Sequence, residues 1–287
     1  MLSRLFVILQ YLLPKYLLTA LVYRLARVSV PAIKNALIRG FLKLYDVKLD
    51  EVRERVPDDF RTFNDFFIRE LKDGARPVDP DPRAIVSPAD GTLSQAGTLR
   101  GNRILQAKGI DYTLVDLLAA DLDTAGAFAG GAFATIYLAP YNYHRVHAPV
   151  DGELVAAHYV PGDLFSVNSS TAAHVRGLFS RNERLNLHIR TSFGPNVVIL
   201  VGALNVGSIS TPWSGEIRPR KSGVVENIDL SAAPRNVSKG DLLGWFNMGS
   251  TVILLLPPDS CSWHDTFEAG DTTVMGRAIG ELAAPAA

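Results

Sequence analysis

The sequence predicts an α+β fold in which amphipathic amino-terminal helices precede a sheet-rich domain. Residues 1–45 are apolar with a basic residue about every turn, which is typical of helices. Residues 46–82 are mixed and polar, with one short helical pattern. From residue 83 onward, short apolar runs alternate with Gly, Pro, Asp and Asn, which is typical of strands joined by turns. We therefore divide the chain into a helical segment (1–45), a helical connector (46–82) and a β-rich domain (83–287).

The charge of the chain is balanced overall but unevenly placed. Its 287 residues are 47% hydrophobic, enough for a buried core, and carry 29 basic and 29 acidic side chains. This balance disfavours a nucleic-acid-binding protein, which needs a basic field. Residues 1–45 nevertheless contain seven basic side chains and no acidic one: Arg4, Lys15, Arg24, Arg27, Lys34, Arg39 and Lys43. A cationic segment therefore precedes an acidic body.

The chain has a single cysteine, Cys261. One cysteine excludes an intramolecular disulfide and a multi-cysteine metal site, and it suits a reducing compartment. We interpret Cys261 as a half-buried thiol near the end of a strand rather than as a catalytic residue.

The amino-terminal segment suits the surface of a membrane. Its first apolar run, residues 5–14, ends at Pro14 and Lys15, short of the roughly 20 residues that a spanning helix needs. Residues 16–23 and 30–45 continue as helices that lie in an interface with basic side chains reaching towards headgroups. No signal-peptide cleavage pattern is evident. Core helices packed on the body are the alternative, but cations without anions favour an anionic lipid surface.

The connector and the body contain one predicted helix and several predicted strands. A cap-like threonine and aromatic residues three and four apart predict a helix over Thr62–Arg69. The short apolar runs predict strands at residues 84–86, 133–138, 153–160, 185–191, 197–206 and 251–256.

Three places in the body concentrate groups that are capable of chemistry. Ser250 follows a glycine at the mouth of a buried strand, although a Gly-Ser dipeptide by itself is typical of a turn. Asp90 lies in an Asp-Gly turn, which is also an ordinary turn signal. His144 and His147 lie three residues apart beside an arginine and two tyrosines. They would suit a metal or a structural role, but prolines confine any helix here to a turn or two and no third ligand follows at motif spacing.

Taken together, these places resemble a known family. The motifs that carry the resemblance are residues 61–69 (RTFNDFFIR), 88–91 (PADG), 106–109 (QAKG), 143–147 (YHRVH), 159–168 (YVPGDLFSVN), 179–184 (FSRNER), 201–203 (VGA) and 249–251 (GST). In this order they are similar to the bacterial phosphatidylserine decarboxylases, from the amino terminus to about residue 257. Met248 departs from the leucine that is usual in the family, a change between two unbranched apolar residues.

The resemblance implies that the chain cuts itself. Asp90, His147 and Ser250 would form a triad in which His147 takes the serine proton and Asp90 orients the imidazole. The serine would attack the carbonyl of Gly249, where glycine permits a strained backbone. The ester would undergo β-elimination, and the dehydroalanine at position 250 would hydrolyse to a pyruvoyl group with loss of ammonia. The products would be a large chain (1–249) and a small chain (250–287), with a covalent pyruvoyl cofactor and no metal.

The resemblance also implies the reaction of the mature protein. Phosphatidylserine would form a Schiff base with the pyruvoyl group and lose CO2 to give phosphatidylethanolamine. We expect His144 to donate the proton, because it lies one turn from His147 and an imidazole pKa is ordinarily near neutral. From residue type alone, Tyr143, Ser166 and Arg184 would orient the substrate carboxylate or the lipid phosphate.

The expected partners are phosphatidylserine and an anionic membrane surface, and the two processed chains would stay associated. A homodimer of processed units is a further expectation from the resemblance. We expect a peripheral protein on the cytoplasmic face of the cell membrane. Two other functions stay open: a membrane-surface serine hydrolase that uses the same triad, which no G-x-S-x-G motif supports, and a non-enzymatic lipid-binding module.

Overall fold

The predicted α+β class is confirmed in a computed structural model, which describes residues 2–107, 109–205 and 208–283. The main hydrophobic core is built by the strands of the body. A second core lies where the third helix meets the connector, around Ile38 and the phenylalanines of residues 60–67.

The helices lie mainly in the first quarter of the chain. They are α1 (Leu2–Leu12), α2 (Lys15–Ala26), α3 (Pro31–Leu44), α4 (Phe63–Phe67), α5 (Leu114–Leu118), α6 (Leu122–Gly126), α7 (Ser169–Ala172) and α8 (Leu178–Arg181). The helix predicted in the connector is found as α4, where Thr62 and Asp65 form a capping box.

Strands make up most of the body. They are β1 (Ala84–Val86), β2 (Gly91–Thr98), β3 (Arg103–Ala107), β4 (Ile110–Thr113), β5 (Ala132–Leu138), β6 (Arg145–His147), β7 (Gly152–Val160), β8 (Arg184–Thr191), β9 (Gly194–Val201), β10 (Ile209–Thr211), β11 (Gly215–Ile217), β12 (Glu226–Asn227), β13 (Asn236–Val237), β14 (Leu242–Phe246), β15 (Ser250–Leu256), β16 (Cys261–Trp263), β17 (Thr272–Thr273) and β18 (Ala278–Leu282).

The predicted strands are found, with one boundary wrong. The strand predicted over residues 197–206 ends at Val201, and Val206 lies outside the described residues. The apolar stretch continues past Val201 because residues 202–205 form a loop that packs against the body rather than a strand. Cys261 is half-buried at the first residue of β16, as expected.

One large antiparallel sheet organises the body, in the order β12-β7-β8-β9-β15-β5-β2-β17. β15 lies inside this sheet and every one of its residues is buried, which explains its continuous apolar sequence. A four-stranded sheet, β11-β10-β14-β6, covers one face. The contact is visible at Gly244 of β14, where an added Cβ would lie 3.3 Å from the Leu200 side chain of β9.

The strand register assigns side chains to the two faces of the large sheet. Leu200 lies opposite Val252, so Ser250, two residues before Val252, shares their face. The opposite face carries Arg184 and Asn186, whose side chains donate to backbone carbonyls in α5. Ser250 therefore faces the side on which the four-stranded sheet lies.

In the described part of the chain, no single helix is long and apolar enough to cross a bilayer. By length and composition alone, α2 and α3 would suffice as a pair, which is bent by 114°.

Candidate active site

The junction between β14 and β15 brings Ser250 into the core. Ser250 is the first residue of β15, lies opposite Leu138 of β5 and is completely buried. Its Oγ has no hydrogen-bond partner among the described residues. Since an unsatisfied buried hydroxyl costs about 1–3 kcal/mol, this group calls for an explanation other than stability.

His144 faces the same junction. Its Nδ1 donates to the Asn142 carbonyl at 2.8 Å, so the neutral ring keeps its lone pair on Nε2. Nε2 is buried without a partner among the described residues. It lies 3.4 Å from the position that a Cβ atom would occupy on Gly249. Two unpaired buried polar atoms, Ser250 Oγ and His144 Nε2, therefore adjoin the Gly249–Ser250 bond.

The electrostatics of His144 differ from the expectation. Burial lowers its pKa to about 3, and the nearby charge of Arg69 acts in the same direction. The ring packs against Phe67 with centroids 4.2 Å apart and an angle of 42° between the ring planes. The near-neutral pKa of a free imidazole therefore does not apply to His144 in the uncut chain, where burial favours the neutral ring.

The backbone of Gly249 is not in the left-handed region in the uncut chain. Gly249 is not among the glycines with positive φ, and a Cβ here would meet its nearest neighbours at 3.4 and 3.5 Å. Glycine at this position does not relieve strain. It keeps the space between His144 Nε2 and the peptide free of a side chain.

His147 lies in a different environment from His144. Residues 145–147 form a strand rather than a helix, so the two histidines are not one turn apart. At about 3.3 Å per residue they are roughly 10 Å apart along the strand and point to opposite faces. They cannot ligate one metal ion together. His147 Nδ1 donates to the Gly240 carbonyl at 2.8 Å, and Nε2 accepts from the Tyr143 hydroxyl at 3.1 Å.

Asp90 is engaged by an arginine. Its carboxylate accepts from both Nε and Nη2 of Arg76, the latter at 2.6 Å, and from the Met275 backbone N–H at 2.9 Å. Arg76 also donates to Glu51 at 2.8 Å. The negative charge of Asp90 is thus balanced by Arg76.

In the predicted triad, His147 and Asp90 lie on neighbouring segments, and among the described residues the three side chains are not bonded to one another. The backbone N–H of His147 donates to the Pro88 carbonyl at 2.8 Å, which ties β6 to the Asp90 turn. Among the described residues, no hydrogen bond joins His147 to Asp90 or to Ser250. The catalytic roles stay predictions, and in this form a rearrangement must precede them.

A cavity of about 320 Å³ opens beside Gly249. Its walls are largely apolar, and Ser166 contributes a hydroxyl group. The lining residues are Phe41, Tyr45, Phe67, Tyr137, Leu138, Pro140, Ser166, Val167, Ala203, Leu204, Asn205, Met248 and Gly249. A cavity of this size and composition is typical of a ligand site.

The other two residues proposed to orient substrate lie elsewhere. Tyr143 lines a neighbouring cavity of about 590 Å³ together with Arg76 and Asp90. Arg184 is buried on the opposite face of the large sheet, where its guanidinium donates to backbone carbonyls of α5, of α8 and of Asn182. This geometry favours a structural role for Arg184.

Glu183 is a buried acid within the motif of residues 179–184, and its sequence context alone did not predict a role for it. Its Oε2 accepts from the Tyr159 hydroxyl at 2.7 Å, whereas Oε1 has no partner among the described residues. Burial raises its pKa to about 7. A Cβ on Gly202 would lie 2.6 Å from the Glu183 side chain, so the carboxyl group lies over that glycine.

The register places this acid in the same row of the sheet as the serine. Arg184 pairs with Val201, and Val201 with Thr251, so the next row contains Glu183, Gly202 and Ser250. Members of one row share a face. Gly202 lies between Glu183 and Ser250 in this row. This neighbourhood cannot be read from the sequence, because it follows from the strand pairing.

The fold and the junction define an α+β enzyme precursor with a buried, unpaired serine at a Gly-Ser bond beside a cavity. A family model described as Phosphatidylserine decarboxylase matches residues 63–281, and one described as PSD matches residues 5–46. The chain belongs to the phosphatidylserine decarboxylase family.

Curated relatives match along nearly the full chain. Each bears the name phosphatidylserine decarboxylase proenzyme. That of Methylococcus capsulatus is 46% identical over 96% of both chains. Those of Pseudomonas fluorescens and Saccharophagus degradans are 45% and 44% identical, each over 97% of both chains.

Proposed function

We propose that the chain is the precursor of a pyruvoyl-dependent phosphatidylserine decarboxylase that cuts itself between Gly249 and Ser250. Membership of the family gives the reaction. The observation that supports the position of the cut is the pair of unpaired buried atoms, Ser250 Oγ and His144 Nε2, beside one peptide bond.

The surroundings of residue 250 suit a pyruvoyl group. The residue opens a central strand, carries an unpaired hydroxyl and follows Gly249, which lines the cavity. Once formed, a pyruvoyl group supplies a carbonyl that condenses with a primary amine and withdraws electrons when a carboxyl group leaves. The apolar walls of the cavity would hold the lipid beside it, and the Ser166 hydroxyl would meet its polar part.

Self-cutting by the proposed triad requires three contacts to open. Arg76 must release Asp90, the Nδ1–H of His147 must leave the Gly240 carbonyl to reach Asp90, and the Tyr143 hydroxyl must leave Nε2 of His147. His147 could then accept the proton of Ser250 as Oγ attacks the Gly249 carbonyl carbon.

We propose that cutting prepares His144 to donate a proton. Gly249 and Phe67 both line the cavity and both contact His144, so they separate its ring from the open space. A cut after Gly249 makes this residue a free chain end, which can move away from His144. Burial is the main cause of the lowered His144 pKa, so exposure raises that pKa towards its ordinary value and lets Nε2 carry a proton.

The amino-terminal helices are built to bind a lipid surface, with their apolar side chains turned outward. The exposed apolar residues of this face are Ile8, Leu9, Tyr11, Leu12, Leu17, Leu21, Leu25, Val30, Ile33 and Leu44. Two of their polar residues, Gln10 and Thr19, are buried against the body. A helix on the surface of a soluble protein turns its polar residues outward and buries its apolar ones. The outward apolar residues here therefore suit contact with an apolar environment.

Some basic residues of these helices bind the body of the protein and others are exposed. Only the exposed ones can reach towards lipid, fewer than expected from the sequence. Lys15 pairs with Asp163 at 2.9 Å and Arg27 with Glu216 at 2.7 Å, while Lys34 is buried and donates to two backbone carbonyls. Arg24, Arg39 and Lys43 are exposed, and they would meet anionic headgroups around the apolar face. We propose a peripheral protein of the cytoplasmic membrane surface.

The two other functions considered have less support. A serine hydrolase acting on external substrates needs an accessible serine, and Ser250 is completely buried. A lipid-binding module without catalysis leaves the unpaired atoms at the junction without a role. Family membership favours the decarboxylase over both.

Denaturing electrophoresis and intact mass of the purified protein, with CO2 release from phosphatidylserine, test the proposal. We expect two chains that divide after residue 249 and a CO2-releasing enzyme. Ser250→Ala should give one uncut, inactive chain. A single full-length chain from wild-type protein that has been allowed to mature would refute the proposal.

A further inference from the structure

The amino-terminal helices do more than present an apolar face, because they also hold the walls of the Gly249 cavity. Gln10 of α1 lies completely buried between the exposed Leu9 and Tyr11. Its Oε1 accepts from the Ser166 backbone N–H at 2.8 Å, and its Nε2 donates to Thr171 Oγ1 at 3.1 Å.

A second bond of the same kind comes from α2. The hydroxyl of Thr19, which is 2% exposed, accepts from the Asn205 backbone N–H at 3.1 Å. Ser166 and Asn205 belong to different loops, and both line the cavity beside Gly249. Each of the two helices therefore reaches one wall loop through one buried polar side chain.

These bonds satisfy the backbone N–H groups of Ser166 and Asn205. Both residues lie in loops, residues 164–168 and 202–205, that contain no helix or strand, and each of the two N–H groups finds its partner in a helix side chain. A buried N–H without a partner is costly, which ties each loop to its helix. Lys15 strengthens the first attachment, since its ammonium pairs with Asp163 and lies 3.7 Å from the centre of the Phe165 ring.

We propose that Gln10 and Thr19 are positioning residues that hold the Ser166 and Asn205 loops in the geometry that the decarboxylation requires. The amino-terminal helices thereby complete the substrate cavity as well as dock it. This inference rests on the proposed function and adds residues from the membrane-binding segment to its site. Misplacement of a substrate-contacting wall by about 1 Å can cost on the order of 100-fold in rate, so the effect is measurable.

The test uses full-length, processed enzyme and a short-chain phosphatidylserine dispersed as monomers, which removes the need for membrane docking. Gln10→Leu should lower kcat/KM by about 10-fold or more, with part of the loss in kcat. Gln10→Glu keeps an acceptor for the Ser166 N–H and should recover most of the activity. Binding to anionic vesicles should be equal in the three proteins.

Two variants separate positioning from general stability. Thr171→Val removes the other bond of Gln10 but leaves the bond to Ser166, so kcat should stay within about twofold of wild type. Leu122→Ser removes an exposed leucine of α6, outside the cavity and the amino-terminal helices, so it should leave vesicle binding and turnover of the dispersed substrate unchanged.

The inference is overturned if Gln10→Leu retains full kcat/KM, or if Thr171→Val loses as much as Gln10→Leu. If Gln10→Leu does not fold, Thr19→Val decides, since it preserves side-chain size and removes only the bond to Asn205. A several-fold lower kcat/KM supports the inference and an unchanged value overturns it. Failure of the proposed function would look different, because the wild-type protein itself would release no CO2.

Discussion

Nε2 of His144 lies 3.4 Å from the position that a Cβ would occupy on Gly249, with its lone pair free. His147, three residues on and roughly 10 Å away along the extended chain, has both ring nitrogens engaged. The two histidines lie three residues apart in the sequence but in different surroundings. Experiments can therefore separate their roles.

The first prediction concerns these roles. His144→Ala should still cut itself but should release almost no CO2, because the assignment gives His147 the proton of Ser250 and His144 the proton of the decarboxylation. His147→Ala should stay uncut. Chain masses and CO2 release measure both steps, and an uncut His144→Ala chain would mean that the two roles are reversed.

The second prediction concerns the ion pair of Asp90. Arg76→Met should lower the free energy of unfolding of the uncut Ser250→Ala chain by about 3–5 kcal/mol, because it leaves the buried carboxylate of Asp90 without its charged partner. Arg83→Met is the matched control, since the Arg83–Glu281 pair is about half exposed and should contribute only about 0–1 kcal/mol. Denaturant unfolding measures both, and equal losses would contradict a special role for the buried pair.

The third prediction concerns the pH dependence of stability. The pKa of Glu183 is raised by burial from 4.5 to about 7 in the folded chain. Between these values the unfolded chain loses this proton and the folded chain keeps it, so stability falls as pH rises through the window. The contribution is about 3 kcal/mol between pH 4.5 and pH 7, from about 1.4 kcal/mol per pKa unit.

Glu183→Gln should remove that part of the slope. Unfolding free energies at pH 4.5, 6 and 8 in the Ser250→Ala background measure it, with the exposed Glu268→Gln as a control that keeps the wild-type slope. Parallel pH profiles for Glu183→Gln and its parent would rule out a protonated Glu183.

The fourth prediction concerns the glycine between Glu183 and Ser250. Gly202→Ala should destabilise the uncut chain by about 1–3 kcal/mol, because the added Cβ would lie 2.6 Å from Cγ and Oε1 of Glu183. Gly126→Ala in α6 meets no atom within 4 Å and should be neutral or stabilising by up to about 1 kcal/mol. Thermal unfolding of the two variants checks this, and equal midpoints would show that Glu183 can move aside freely.

The fifth prediction concerns the apolar face of α1 and α2. Leu12 and Leu21 are 78% and 53% exposed, and transfer of each side chain into lipid is worth about 1.5–3 kcal/mol. Each change to serine should therefore weaken binding to anionic vesicles about 10-fold or more in a sedimentation assay. Leu122→Ser in α6 removes an equally exposed leucine and should leave vesicle binding unchanged. An equal effect of all three would locate the lipid contact elsewhere.

Local sequence was sufficient for most of the elements. The strand runs around β5, β7, β8 and β15 follow from apolar residues bounded by turn residues, because both signals lie within a few positions of each other. It was insufficient for residues 145–147, a three-residue strand whose extended form is imposed by pairing with β14. If that segment were helical, His144 and His147 would lie on the same side of it. The extended form that the pairing imposes turns them to opposite sides.

The sequence by itself determined the fold class, the family resemblance, the Gly249–Ser250 junction and the cationic amino-terminal segment, since each is a property of neighbouring residues. The tertiary structure alone decided that Asp90 pairs with Arg76, that His144 is buried and neutral, and that Glu183 shares a row with Ser250. It also decided that Gln10 and Thr19 bond to Ser166 and Asn205, two residues that line the cavity. Charge partners, burial and strand register depend on groups far apart in the chain, and only the folded chain brings them within reach of one another.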